Sequence, residues 1–196
     1  RACIYNYTFT DEEVNAGAVA TNGYIFAGGN PSRNYDLLLE IARQLPHRKF
    51  VIATRTLRGR KDIPSNVEIV QVPHLEFIRL MREADMVITP LVSGGTKSSG
   101  QQTYLNAMRF GKISIVNGKD VLGVTDYIQS YVNGIITDGT LKGFCDVIEW
   151  VYDPVNQEAV HKIKELAQET VKEFTYERYL RTMTSIIEEA IAESRN

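Results

Sequence analysis

Apolar positions along the chain fall into short unbroken runs that alternate with stretches of helical period. "YIFAGG" (24–29), "KFVIAT" (49–54), "NVEIVQV" (66–72), "DMVITPL" (85–91), "KISIVNG" (112–118) and "NGIIT" (133–137) have the length of strands. Runs as apolar as "MVITPL" and "ISIV" suit strands buried on both faces. Between them, "YDLLLEIARQL" (35–45) sets Leu38, Ile41, Ala42 and Leu45 on one helix face. "LEFIRLMREA" (75–84) and "GQQTYLNAMRFG" (100–111) read the same way, the second closed by Gly111 in C-cap position. "VTDYIQSY" (124–131) reads as a short helix. From about Leu141 the chain is helical in three stretches, 141–153, 154–174 and 175–194.

Strands that alternate with helices imply crossover connections and a parallel sheet covered on both sides. The predicted fold class is therefore α/β: a doubly wound, mostly parallel sheet of Rossmann-like type with C-terminal helices. Residues 1–22 are mixed and polar and read as a lead-in or linker; 23–196 read as a single domain, long enough for one well-buried core. The first residue is Arg rather than Met, and the expectation is a piece of a longer chain.

Composition narrows the partners. The 196 residues are 43% hydrophobic and 23% charged, with a formal net charge of −2. No basic surplus points to nucleic acid, yet a small anion needs only one or two cations and oriented amides. The two cysteines, Cys3 and Cys145, have neither disulfide density nor metal-site spacing. No signal-peptide core or membrane-spanning run is seen, so a cytoplasmic protein without an integral membrane segment is expected. His47 and His161 have no metal partner at ligand spacing.

In open parallel sheets, ligands bind outside the carboxyl ends of the strands, and two loops there stand out. In "AGGNPSRNYD" (27–36), Gly28 and Gly29 allow a tight turn or a close approach to a ligand, and Arg33 suits a phosphate. The same residues also fit a plain strand-to-helix turn. In "LVSGGTKSSGQQTYLNAMRFGK" (91–112), a helix starting near Gly100 offers unpaired N–H groups and a positive dipole end to an anion. Ser98 and Ser99 can cap that helix or bond a ligand, and Gln101, Gln102 and Asn106 can reach sugar hydroxyls. A well-capped flexible loop is the other reading. His74, after a strand, can line a base pocket or simply face solvent.

The order of these pieces over roughly residues 23–182 resembles the C-terminal, donor-binding domain of retaining GT-B-type glycosyltransferases of group 1. "YIFAGGNPSRNYDLLLEIARQL", "NVEIVQVPHLEFIRLMREADMVITPL", "LNAMRFGKISIVN", "GVTDYIQSYVNGIIT" and "EFTYERYLRTM" carry the likeness. The resemblance implies a nucleotide-diphosphate sugar as donor substrate, with no cofactor and no metal. It also implies roles: Gly28, Gly29 and Arg33 approach the diphosphate from one side. The N–H groups of Ser99, Gly100, Gln101, Gln102 and Thr103 hold it from the other. Asn106 takes the ribose, Val72 to His74 border the base, and Ser98 lies near the sugar.

The chain departs from the family at its hallmark pair of glutamates, whose positions are held by Ser98 and Asn106. No catalytic residue is therefore assigned. A complete enzyme of this type also needs an N-terminal, acceptor-binding domain, which this sequence lacks, so the fragment alone is expected to transfer nothing. Alternatives on the same scaffold are a nucleotide-sugar-binding module without turnover and a nucleotide-sugar epimerase-like enzyme. A receiver-like module lacks its clustered strand-end aspartates.

Overall fold

The computed structural model describes residues 21–94, 99–118 and 121–194. Within them, six strands form one parallel sheet: β1 (Tyr24–Gly28), β2 (Lys49–Ala53), β3 (Val67–Val70), β4 (Met86–Thr89), β5 (Ile113–Asn117) and β6 (Ile135–Thr137). Their order is β3-β2-β1-β4-β5-β6. The helices are α1 (Tyr35–Gln44), α2 (His74–Glu83), α3 (Gln101–Arg109), α4 (Leu141–Tyr152), α5 (Gln157–Val171) and α6 (Tyr176–Ser194). The doubly wound fold expected from the pattern is what the chain adopts.

Strands β1, β4 and β5 are buried at every position, as apolar runs sandwiched between helix layers must be. On one side α1 places Leu38, Leu39, Ile41 and Ala42 against Ile25, Phe50 and Ile52. Each buried Leu or Ile contributes about 1.5–3 kcal/mol. On the other side α3 and α5 pack Tyr104, Leu105, Met108, Ala167 and Val171 around Val116. Tail helix α6 buries none of its side chains. No helix among the described residues is long and apolar enough to cross a membrane.

Helix α3 ends where Gly111 directs it to. With φ at 62°, Gly111 lets its own N–H reach Met108 O at 3.0 Å and the N–H of Lys112 reach Ala107 O at 2.9 Å. This paired closure turns the chain straight into β5. Two expectations need correction. Residues 124–131 form turns rather than a helix. Isolated helical bonds occur there, Ile128 N to Val124 O at 2.9 Å and Asn133 N to Gln129 O at 3.2 Å, without a continuous run. Buried Asn133 then takes Gln129 N at 2.8 Å and donates to Tyr127 O at 3.1 Å, so those groups bond the Asn133 side chain rather than a continuing helix. The stretch 154–174 is also broken, into a 3₁₀ turn at Pro154–Asn156 and α5, with Asp153 capping the turn.

Strand order reverses between β1 and β4. The two are in register at Ile25–Met86 and Phe26–Val87. Farther along, the chain after β1 returns to meet the chain after β4, as an antiparallel bridge between Arg33 and Leu91. This switch point is where an open α/β sheet forms its crevice.

At the opposite edge, Lys112 is only 8% exposed, and burial, with Lys164 nearby, pushes its ammonium from 10.5 down to about 8. Between these values the unfolded chain holds the proton and the folded chain does not. Stability therefore rises with pH across that window and is lowest below pH 8. Lys112→Met is expected to reduce this rise, leaving the smaller contribution of buried Lys164, and to increase Tm at pH 7 by about 2–4 °C, the equivalent of ~1 kcal/mol in a domain of this size. Thermal denaturation of both proteins between pH 7 and 10 checks it.

Candidate functional site

The crevice at the switch point has two lobes that share Gly29 and Phe77 as walls. The first, about 370 Å³, receives Arg33 from the turn after β1, His74 from the start of α2, and Ser99 to Thr103 with Asn106 from the start of α3. Sequence reading singled out all of these residues, and the fold gathers them in one place. Gln101 and Asn106, both 3% exposed, and Thr103, 8% exposed, form its inner side. Ser98 and Gly95 lie outside the described residues. Gly28 does not line the crevice: it ends β1 beneath Phe77, where a Cβ would stand 2.4 Å from the ring. Close packing against that ring requires glycine there.

Arg33 is held on three sides. Its Nε donates to Gly28 O at 3.0 Å, one terminal nitrogen donates to Pro31 O at 3.1 Å, and the other to Thr103 Oγ1 at 2.9 Å. The last bond ties the β1 turn to the first turn of α3. Among the described residues no carboxylate pairs with this guanidinium, and burial lowers its pKa from the ordinary value. Holding a half-buried cation without a counter-charge is unfavourable unless an anion completes it.

Helix α3 starts at Gly100, in left-handed conformation with φ 88°, and as a glycine this N-cap residue offers no side-chain cap. A first helical turn has N–H groups without intrahelical acceptors, at the positive end of the dipole. Those groups face the lobe that holds Arg33. Among the described residues neither lobe is lined by an Asp or Glu, in a chain whose net charge is −2. The arrangement suits an anion.

The second lobe, about 460 Å³, lies between the carboxyl ends of β1, β2 and β3. Val72 and Pro73, expected near a base, line it, together with Ala53, Asn30, Thr54, Arg55 and Gln71. The last four were missed. The rule that found the first lobe, attention to strand ends, applies equally to Thr54 and Arg55 after β2 and to Gln71 after β3, though none sits in a glycine-rich motif. The turn between lobes is rigidly built: Gly29 O accepts the hydroxyls of Tyr35 and Thr54, and Asn30 Oδ1 accepts Arg55 N at 2.9 Å.

No family model and no curated protein matches the sequence. Solved structures do match. A glycosyltransferase from Rickettsia africae ESF-5 has a TM-score of 0.72 at 15% identity, over 93% of this chain and 53% of its own. HepE from Anabaena, in complex with UDP-glucose, has a TM-score of 0.69 at 16% identity, over 93% and 57%. The C-terminal domain of LpcC, a glycosyl transferase group 1 family protein from Francisella tularensis, has a TM-score of 0.62 at 13% identity, over 89% and 97%. This chain thus spans about half the length of the first two and almost all of the isolated C-terminal domain. It has the fold of one half of a GT-B glycosyltransferase.

Phe77 stands edge-on to Phe26 at 5.1 Å and separates the lobes. Gly28→Ala is expected to push this ring into the crevice and to lower stability by about 1–3 kcal/mol, as overpacking does. Chemical denaturation of the variant measures the loss.

Proposed function

We propose that this domain binds the nucleotide-diphosphate sugar donor of a glycosyltransferase, and that transfer to an acceptor takes place in a longer protein with a second, acceptor-binding domain. The observation that carries the reading is the crevice's charge: among the described residues, half-buried Arg33 pairs with no carboxylate, bonds Thr103 at the start of α3, and lines a cleft to which no acidic side chain contributes. Two phosphates bridging these groups would gain charge-assisted bonds from both. Solved proteins of this fold with UDP or UDP-glucose bound support the same choice.

In this reading Arg33 and the first-turn amides of α3 hold the diphosphate, so its charge is met by protein groups. Asn106 bonds the ribose. The lobe between Val72 and Phe77 takes the base, with its apolar walls against the ring faces. His74, with Val72 and Pro73, borders the base, and Gln102 lines the lobe that holds the diphosphate. Asn106 and Ser98, both uncharged, favour a second reading, a module that binds the nucleotide sugar without turnover. Activity of the full-length protein with a nucleotide sugar decides between the two.

Calorimetric titration with UDP, GDP, ADP, CMP and UDP-sugars tests the proposal. Saturable binding of one nucleotide diphosphate is expected. Arg33→Ala should weaken it about 10–100-fold, since a hydrogen bond to a charged group is worth about 1.5–3 kcal/mol. Equal affinity in wild type and variant would remove Arg33 from the site.

A further inference from the structure

Where β4 ends, the chain has no neighbouring strand to complete its pairing, and a side chain does so instead. Asn117, the last residue of β5, is 2% exposed. Its Oδ1 accepts Leu91 N at 2.6 Å and its Nδ2 donates to Leu91 O at 2.9 Å. One amide thus satisfies both backbone groups of Leu91, as a paired strand would. The groups on either side point the other way: Pro90 O accepts Asn34 N at 2.8 Å, and Val92 N donates to Ser32 O at 3.1 Å. Residues 90–92 are therefore clasped between the Arg33 turn and Asn117.

Both halves of the anion-facing lobe rest on this short segment. The Arg33 turn is bridged to Leu91. Gly100, which begins α3, lies so close to Leu91 and Thr89 that a Cβ would meet their side chains at 3.2–3.4 Å. Among the described residues Asn117 hydrogen-bonds Leu91 and Ser93, not Arg33 or α3, and it does not line either lobe.

We propose that Asn117 is a positioning residue for the crevice: its buried amide clasps Leu91 and so sets where Arg33 and the start of α3 stand relative to each other. The clasp is a property of the fold. Its consequence for ligand affinity rests on the donor-site reading above.

The test uses Asn117→Ala, which removes both hydrogen bonds without adding bulk at a buried position, with Asn117→Ser as the second variant should the first not fold. Hydrogen exchange reads the clasp directly. The amides of residues 32–34 and 91–93 are expected to exchange faster in the variant, while those of β1 and β2 do not change. Titration with UDP, and with inorganic pyrophosphate, reads the positioning, and about a tenfold loss of affinity is expected for each, the equivalent of roughly one neutral hydrogen bond. Ile135→Ala, a core change on β6 that lowers thermal stability without touching the clasp, should leave both affinities as in wild type. Unchanged exchange at residues 91–93 overturns the clasp. Faster exchange with unaltered affinity overturns the positioning role, as does an equal affinity loss in Ile135→Ala. A wild-type protein that binds neither probe overturns the donor-site reading and the positioning role, while the exchange data still decide the clasp.

Discussion

Hydrogen bonding of the backbone at the carboxyl edge of the sheet is the constraint on which this structure turns. A parallel ladder stops abruptly at that edge, and each N–H and C=O left there must find a partner if it is buried. Here side chains supply several of them. The carbonyl of Gly29 takes the hydroxyls of Tyr35 and Thr54, the amide of Arg55 goes to Asn30, and Leu91 is completed by Asn117. Because these partners are side chains rather than a further strand, pairing ends without extending the sheet. What would otherwise be another layer of β-structure becomes the wall of a cleft.

Charge is distributed with the same economy. Elsewhere on the surface, several guanidinium groups have carboxylate partners: Arg43 with Glu40, Arg79 with Glu83, Arg60 with Asp62. Such exposed pairs add little to stability, typically 0–1 kcal/mol. Arg33 differs on both counts, being half-buried and bonded to carbonyls and a hydroxyl. Neutral acceptors orient it without cancelling its charge. The cation is thus held in place while its field remains directed into the crevice.

Much of this was legible in the sequence. Apolar runs placed all six strands within a few residues, because strands buried on both faces leave few polar interruptions. The helix at 124–131 was misread because its fate depends on Asn133, a side chain beyond the stretch whose bonds outweigh local propensity. The site was legible where glycines, hydroxyls and an arginine cluster at strand ends. It was less legible at Thr54, Arg55 and Gln71, which follow strand ends but sit in no glycine-rich motif. Asn117 was beyond reach altogether: its bond crosses 26 positions to Leu91, and nothing local distinguishes it from a polar residue closing a strand.

The left-handed start of α3 has a further meaning for how this protein can change. An Asn, Asp or Ser at a helix N-cap ordinarily contributes about 1 kcal/mol. At position 100 that route is closed, since the backbone lies at φ 88° and any Cβ would press on Thr89 and Leu91. Glycine is the residue this backbone accepts, and its lack of a capping side chain costs the helix only a few tenths of a kcal/mol. The start of α3 is thus fixed by packing against the end of β4 rather than by a cap, and stabilising substitutions have to be sought elsewhere in the chain.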